Sequence, residues 1–231
     1  MNKYHHICEE AYYANMELPK LGLVSFTFGN VSAADRDLGL FAIKPSGVPY
    51  AELSPAKMVV VDFDGKTVDG DLRPSSDTLT HAVLYKNWEI GGICHTHSKY
   101  ATAWAQTGRD IPLYGTTHAD QLTADIPCAA PMADEMIRGN YEYQAGLQLI
   151  DCMAERKLDY KQVEMLLAGS HAPFTWGLTA EKAVYNSAVL ELIAEMALLT
   201  EQLRPGCDRM KPALIQKHYE RKHGGNAYYG Q

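Results

Sequence analysis

An α/β sandwich, with helices on both faces of a mixed sheet, is the fold class that this 231-residue sequence predicts. Three observations carry the prediction. Short strand-like apolar runs interleave with runs of helical period, and Asp64-Gly65 between MVVVDF and KTVDG marks a hairpin, which makes part of the sheet antiparallel. Hydrophobic residues make up 46% of the chain, enough for one large core, and no repeat, low-complexity stretch or long Pro/Gly/Ser linker divides residues 1–231, so a single domain is expected.

Taken in order, residues 3–20 carry Ile7, Ala11, Ala14 and Leu18 on one helical face, with a stop expected near Pro19 and Gly22. LVSFTFGNV, LFAIKPSG and MVVVDFDGKTVDG read as strands. DTLTHAVLYKNW reads as a helix capped by Ser75 or Ser76, and GGICHTH as a strand leading into a helix over SKYATAWAQT. Further on, the pattern predicts a helix around 139–156, a buried strand MLLAGSH at 165–171, a long helix at 179–203 and a last one over 209–222.

Composition excludes several classes. A net charge of −7 and a pI near 5.7 argue against nucleic acid as a partner, whose phosphates demand a broad excess of Lys and Arg. The first 20 residues lack the apolar core of a signal peptide, and no uninterrupted apolar run approaches the length of a membrane span. Cys8, Cys94, Cys128, Cys152 and Cys207 are odd in number and scattered, as expected of reduced thiols. A soluble, cytoplasmic protein with no membrane partner is the expectation. The basic run KHYERKH at 217–223 reads as a solvated helix face, with a site for a small anionic ligand as the alternative.

Chemistry concentrates in a few places. On a strand, His95 and His97 point the same way, a geometry suited to one metal ion. Further ligands are sought in His171, at the end of an apolar strand before Pro173, in His118 of GTTHAD, and in Asp77 at the start of the helix after PSS. With three imidazoles and one carboxylate, Zn²⁺ is favoured over Mn²⁺, Co²⁺ or Fe²⁺. His5, His6, His218 and His223 lie in polar helical surroundings and are expected at the surface. FGN at 28–30, KPSG at 44–47 and PSSD at 74–77 combine small residues with hydroxyl or amide groups; together they suit an anion such as a substrate phosphate.

The motifs NMELPKLGLV, FGNVSA, IKPSGV, RPSSDTLTH, GGICHTHS, ATAWAQ, IPLYGTTHAD, SHAPFTWG and KHYERKHGGNAYYGQ run almost from end to end. In this ordered series the chain resembles the L-ribulose-5-phosphate 4-epimerases of the class II aldolase family. The resemblance implies a three-layer α/β/α sandwich around a mixed, largely antiparallel central sheet. It implies Zn²⁺ on Asp77, His95, His97 and His171, and substrate binding by Gly29, Asn30, Ser46, Gly47, Ser75 and Ser76, chiefly at a phosphate. Asp120 and Tyr229 would be the acid/base pair, with Tyr229 reaching a neighbouring subunit's site in a homotetramer and His218 and Arg221 beside it. The implied reaction is cleavage of the C3–C4 bond of a phosphorylated ketopentose, rotation of the aldehyde fragment and re-addition with C4 inverted. The chain departs from the family pattern at Phe28, Ala172 and Gln121-Leu122. Family aldolases that release their cleavage products tend to have Glu in place of Asp77, and non-catalytic adducin-like heads do not need the metal ligands, so the epimerase reading is preferred to both.

Overall fold

The computed structural model describes residues 3–225 and 227–228. Its elements follow in the order α1 (His5–Lys20), β1 (Asn30–Asp35), β2 (Leu40–Ile43), β3 (Val59–Asp62), β4 (Thr67–Asp69), α2 (Thr78–Asn87), β5 (Gly92–His95), α3 (Lys99–Thr107) and α4 (Thr116–Ala119). After these come β6 (Cys128–Ala129), α5 (Asp134–Arg138), α6 (Tyr141–Glu155), β7 (Met165–Ala168), β8 (Pro173–Gly177), α7 (Ala180–Leu203) and α8 (Pro212–His223). The strands form one sheet in the order β4-β3-β2-β1-β5-β8-β7-β6, antiparallel throughout except for the parallel pair β6 and β7. The expected mixed, largely antiparallel sheet is therefore present.

Strand alternation divides the core between two faces. Phe41, Ile43, Val59, Val61 and Ile93 pack with Leu84 and Tyr85 of α2 and Leu149 and Met153 of α6. Their chain neighbours Ala42, Val60 and Cys94 face the other way, toward Ile7, Ala11 and Leu18 of α1 and Ala180, Ala183 and Val184 of α7. Thus helices cover both faces, as the three-layer expectation requires. Ala180–Leu203 is long and apolar enough by length and composition to cross a membrane, and 44% of its most apolar window is buried in the protein. All five cysteines are unpaired.

Several boundaries differ from expectation, each for a local reason. Residues 23–29 form no strand: Phe26 and Gly29 hold positive φ (56° and 74°), and β1 starts only at Asn30. β2 stops at Ile43, because Pro45 has no N–H to continue a ladder. By contrast α1 stops at Lys20, between Pro19 and Gly22, as expected, with Pro19 inside its last turn. The N-cap position of α2 is Asp77, not Ser75 or Ser76, and its side chain makes no cap bond; the Ser75 carbonyl accepts from the Thr78 N–H (3.2 Å) and hydroxyl (2.6 Å) instead. The helix expected around 139–156 is α6, and the short α5 before it, ended at Gly139, was not anticipated. β8, which opens with Pro173, and the two-residue β6 escaped the sequence reading. The hairpin at Asp64-Gly65 is as expected: Asp62 Oδ1 accepts the N–H groups of Asp64 and Lys66, and Gly65 takes φ +84°.

Candidate active site

Strand register sets the first histidine. Asn30 of β1 pairs with His95 of β5, and His95 pairs with Phe174 of β8, so these three residues form one row across the sheet on the same face. The His95 ring stacks on Phe174 (4.1 Å between centroids, 14°), and its Nδ1–H donates to the Pro173 carbonyl (2.9 Å). That bond commits Nδ1 and leaves Nε2 free as a ligand.

His97 is not on the strand, contrary to expectation. β1 has no residue before Asn30 to pair with β5 beyond His95, so the ladder ends there and His97 is carried by the short connection to α3. It still reaches the same point. The rings of His95, His97 and His171 lie 4.9–5.1 Å apart, and one potential ligand atom from each lies within 4.8 Å of the other two. His171 arrives from the turn between β7 and β8, where Ser170 adopts φ +60°. Burial, reinforced by the neighbouring imidazoles, pulls the His171 pKa down to about 4, and burial likewise lowers His97. Both are thus neutral at pH 7, with lone pairs available to a cation. Three converging imidazoles, one with its Nδ1 already committed, fit a divalent metal ion that takes nitrogen ligands.

Asp77 lines the same cavity but is not in the cluster of three. Its Oδ2 accepts from Asn30 Nδ2 (2.6 Å). Burial pushes its carboxyl up, yet the His95 and His81 imidazoles and the Asn30 bond outweigh burial and leave it below the usual carboxylate value. His118, the other candidate histidine, lies in a separate small cavity with Tyr114, Met196 and Cys207.

The three turns meet in the same place. Pro45 bridges Pro74, the Ser46 N–H donates to the Arg73 carbonyl (2.9 Å), and the Ser75 N–H donates to the Lys44 carbonyl (3.0 Å). Gly29, Asn30, Ser46, Gly47, Ser75 and Ser76 all line one cavity of about 500 Å³ with the three histidines. Gly29 is required twice over: its φ is +74°, and a Cβ there would lie 2.7 Å from Val24 and 3.0 Å from the His95 carbonyl.

The sequence reading missed Lys44, Tyr141 and Glu142 in this wall. Lys44 is 2% exposed; its ammonium donates to the carbonyls of Thr27 (3.1 Å) and Pro45 (3.4 Å) and sits 5.0 Å from the Tyr50 ring centroid. Burial lowers its pKa. The KPSG motif held the signal, but a lysine after an apolar strand reads as its solvated end.

Asp120 does not join the cavity within this chain. It ends α4 and is held by α8: Arg221 donates to both carboxylate oxygens (3.1 and 3.0 Å), the His218 ring bonds Oδ1 (2.9 Å), and His223 Nε2 donates to the Asp120 carbonyl (2.9 Å). Burial acts to raise the Asp120 pKa, but these bonds win and lower it. His218 is therefore a half-buried partner of Asp120 rather than a free surface group, while His223 is exposed, as expected, with its ring nitrogen on the Asp120 carbonyl. Tyr229 lies outside the described residues.

Fold and site together define a class, and the chain belongs to the class II aldolase and adducin N-terminal domain family, whose pattern matches residues 9–198. Within that family it is an enzyme of the isomerase class, an epimerase, by its similarity to curated relatives. The L-ribulose-5-phosphate 4-epimerase UlaF of Salmonella paratyphi A (strain ATCC 9150 / SARB42) is 48% identical over 224 residues, 96% of this chain and 97% of that protein. The protein of the same name from Salmonella paratyphi C (strain RKS4594) is 47% identical over the same shares. Among solved structures, an L-fuculose 1-phosphate aldolase superposes with a TM-score of 0.77 at 22% identity, over 94% of this chain and 95% of that one. YgbL of Klebsiella pneumoniae, a putative aldolase/epimerase/decarboxylase, gives 0.71 at 21% identity, over 92% and 97%. These two likenesses establish the fold.

Proposed function

We propose that the protein is a zinc-dependent L-ribulose-5-phosphate 4-epimerase, interconverting L-ribulose 5-phosphate and D-xylulose 5-phosphate by breaking and re-forming the C3–C4 bond. The observation that carries this reading is the single cavity with three convergent imidazoles in one part of its wall and three hydrogen-bonding turns with a buried lysine in another. His95, His97 and His171 would hold the ion, with Asp77 beside them. Zinc, when bound, supplies a Lewis acid that stabilises negative charge developing on the substrate's carbonyl end.

The chain's own groups do the rest. Ser46, Gly47, Ser75 and Ser76 present hydroxyl and N–H donors to the phosphate, and Lys44 supplies its counter-charge. A phosphate anchored there lets the aldehyde fragment rotate without leaving. Asp120, kept anionic by Arg221 and His218, suits a base that takes the C4 hydroxyl proton on one face, and Tyr229 would exchange it on the other. Because Asp120 and α8 lie away from this chain's own cavity, they would serve the cavity of a neighbouring copy. Exposed Tyr185, Leu192, Met196, Leu199 and Leu203 along α7 support assembly, for which we propose a homotetramer. Five unpaired thiols suit the cytoplasm.

Purified zinc-loaded protein supplied with L-ribulose 5-phosphate should form D-xylulose 5-phosphate with little free glycolaldehyde phosphate, and a chelator should stop it. Free aldehyde as the main product would mean an aldolase; no turnover would overturn the choice of substrate.

A further inference from the structure

The three histidines are not held alike. His95 is locked by its sheet register, by Phe174 and by Pro173. Among the described residues no hydrogen bond fixes the ring of His97, and His171 Nδ1 is buried without a partner. The positions of these two depend on the backbone segments that carry them, and α3 joins both segments. Its first turn begins just after His97 and Ser98. Near its other end the Ala105 carbonyl accepts the Ser170 N–H (2.9 Å) in the turn that presents His171. Ser170 keeps a left-handed φ of +60° in that bonded turn.

What holds α3 is a residue from another helix. Ser98 occupies the N-cap position, but its hydroxyl makes no cap bond and is buried without a partner. Instead Glu191 of α7 places Oε1 on the Tyr100 N–H (2.8 Å) and Oε2 on the Ala101 N–H (2.9 Å). A carboxylate there satisfies two of the four N–H groups that a helix start leaves without intrahelical partners, and meets the positive end of the helix dipole. Further along, Trp104 Nε1 donates to the Ala194 carbonyl (3.0 Å), so α3 is fastened to α7 at two levels.

We propose that Glu191 is a positioning residue for the metal centre: by clamping the start of α3 it fixes the His97 connection directly and the His171 turn through Ala105. The inference rests on the metal-binding reading above. Among the described residues no hydrogen bond joins Glu191 to His97 or His171, so its influence is carried by the backbone of one nine-residue helix.

The test compares Glu191→Ala and Glu191→Gln with Glu195→Gln, whose carboxylate on the same helix bonds the Tyr100 side chain and not the α3 backbone. In chelated protein, amide exchange in Glu191→Ala should speed up at both 96–105 and 168–172, and Glu195→Gln should match the wild type. Zinc affinity, measured by competition with a chromogenic chelator, should fall about 10-fold or more in Glu191→Ala. Glu191→Gln, which sets an amide NH₂ against one N–H, should fall between and serves if the Ala variant does not fold. Unchanged exchange at 168–172, or a zinc affinity equal to that of Glu195→Gln, would overturn the proposal and leave Glu191 an ordinary helix cap. A wild-type protein that binds no zinc would overturn the metal reading itself, whereas the exchange experiment needs no metal and judges the clamp independently.

Discussion

The cavity and the Asp120 corner are built on opposite plans. Around the cavity, groups distant in sequence are brought together by sheet register and by turns tied backbone to backbone, and few of the lining side chains are spent on each other. At the corner, the acidic side chain is already engaged: Asp120 accepts from Arg221 and His218, both carried by α8. One region is open for a ligand and the other is closed on itself. Under the proposed function the difference separates ligand binding from proton transfer, and the second would draw on a surface beyond this chain's own cavity.

The largest expected effect breaks the cavity. Replacing His95 or His171 with Ala should remove zinc and cost about 1,000-fold or more in turnover, because a Lewis acid contributes several kcal/mol to such a cleavage. Normal turnover in a protein shown to be metal-free would sink the zinc reading.

Next comes the corner. Asp120→Asn should lower turnover about 100-fold while zinc content stays at the wild-type level. Mixing unfolded His95→Ala and Asp120→Asn chains and refolding them together should recover activity that neither has alone, since hybrids can set an intact cavity against an intact corner. If the mixture stays as inactive as its parents, Asp120 does not serve a neighbour.

Acid should loosen the corner from beneath. His118, two residues before Asp120, is 3% exposed, and burial pulls its pKa from 6.5 down to about 4. Below about pH 6.5 the unfolded chain takes up a proton that the folded chain refuses, so stability falls as pH drops through this window, by about 1.4 kcal/mol per pH unit for each such group. His81 and His171, lowered to about 3 and about 4, act in the same direction. Denaturant unfolding of chelated protein at pH 7.5 and pH 5 measures the slope. His118→Phe should flatten part of it; an unchanged slope would mean that His118 takes its proton in the folded state.

How much of this was legible follows the same division. His95, the three turns and Asp77 could be read because each is a short local pattern whose meaning depends on a few neighbours. His171 and His118 could not be separated by pattern alone, since both follow small or polar residues near an apolar run; only the β7–β8 turn, which puts one of them beside His95, decides between them. That turn was half hidden because β8 opens with a proline, ordinarily a strand breaker but here at the first position, where its lost N–H costs no ladder bond. The pairing of Asp120 with Arg221 spans 101 residues and joins a four-residue helix to the last long one, a contact that no local periodicity encodes.

Lys44 offers the smallest effect and the sharpest one. Among the described residues this buried ammonium bonds two carbonyl oxygens and no carboxylate, beside turns rich in N–H and hydroxyl groups, so it lacks a full negative counter-charge. Burial depresses its pKa, which means that the site disfavours the charge until an anion arrives. A phosphate bound there would restore the balance, and it stays on the substrate through cleavage and re-addition alike. Its contribution should therefore appear as uniform binding: Lys44→Met should raise KM about 10-fold with kcat changed far less, and should weaken competitive inhibition by inorganic phosphate by the same factor. A variant with unchanged KM and a reduced kcat would place the charge at the reacting carbons instead, and would reverse the orientation of the substrate between the turns and the three histidines.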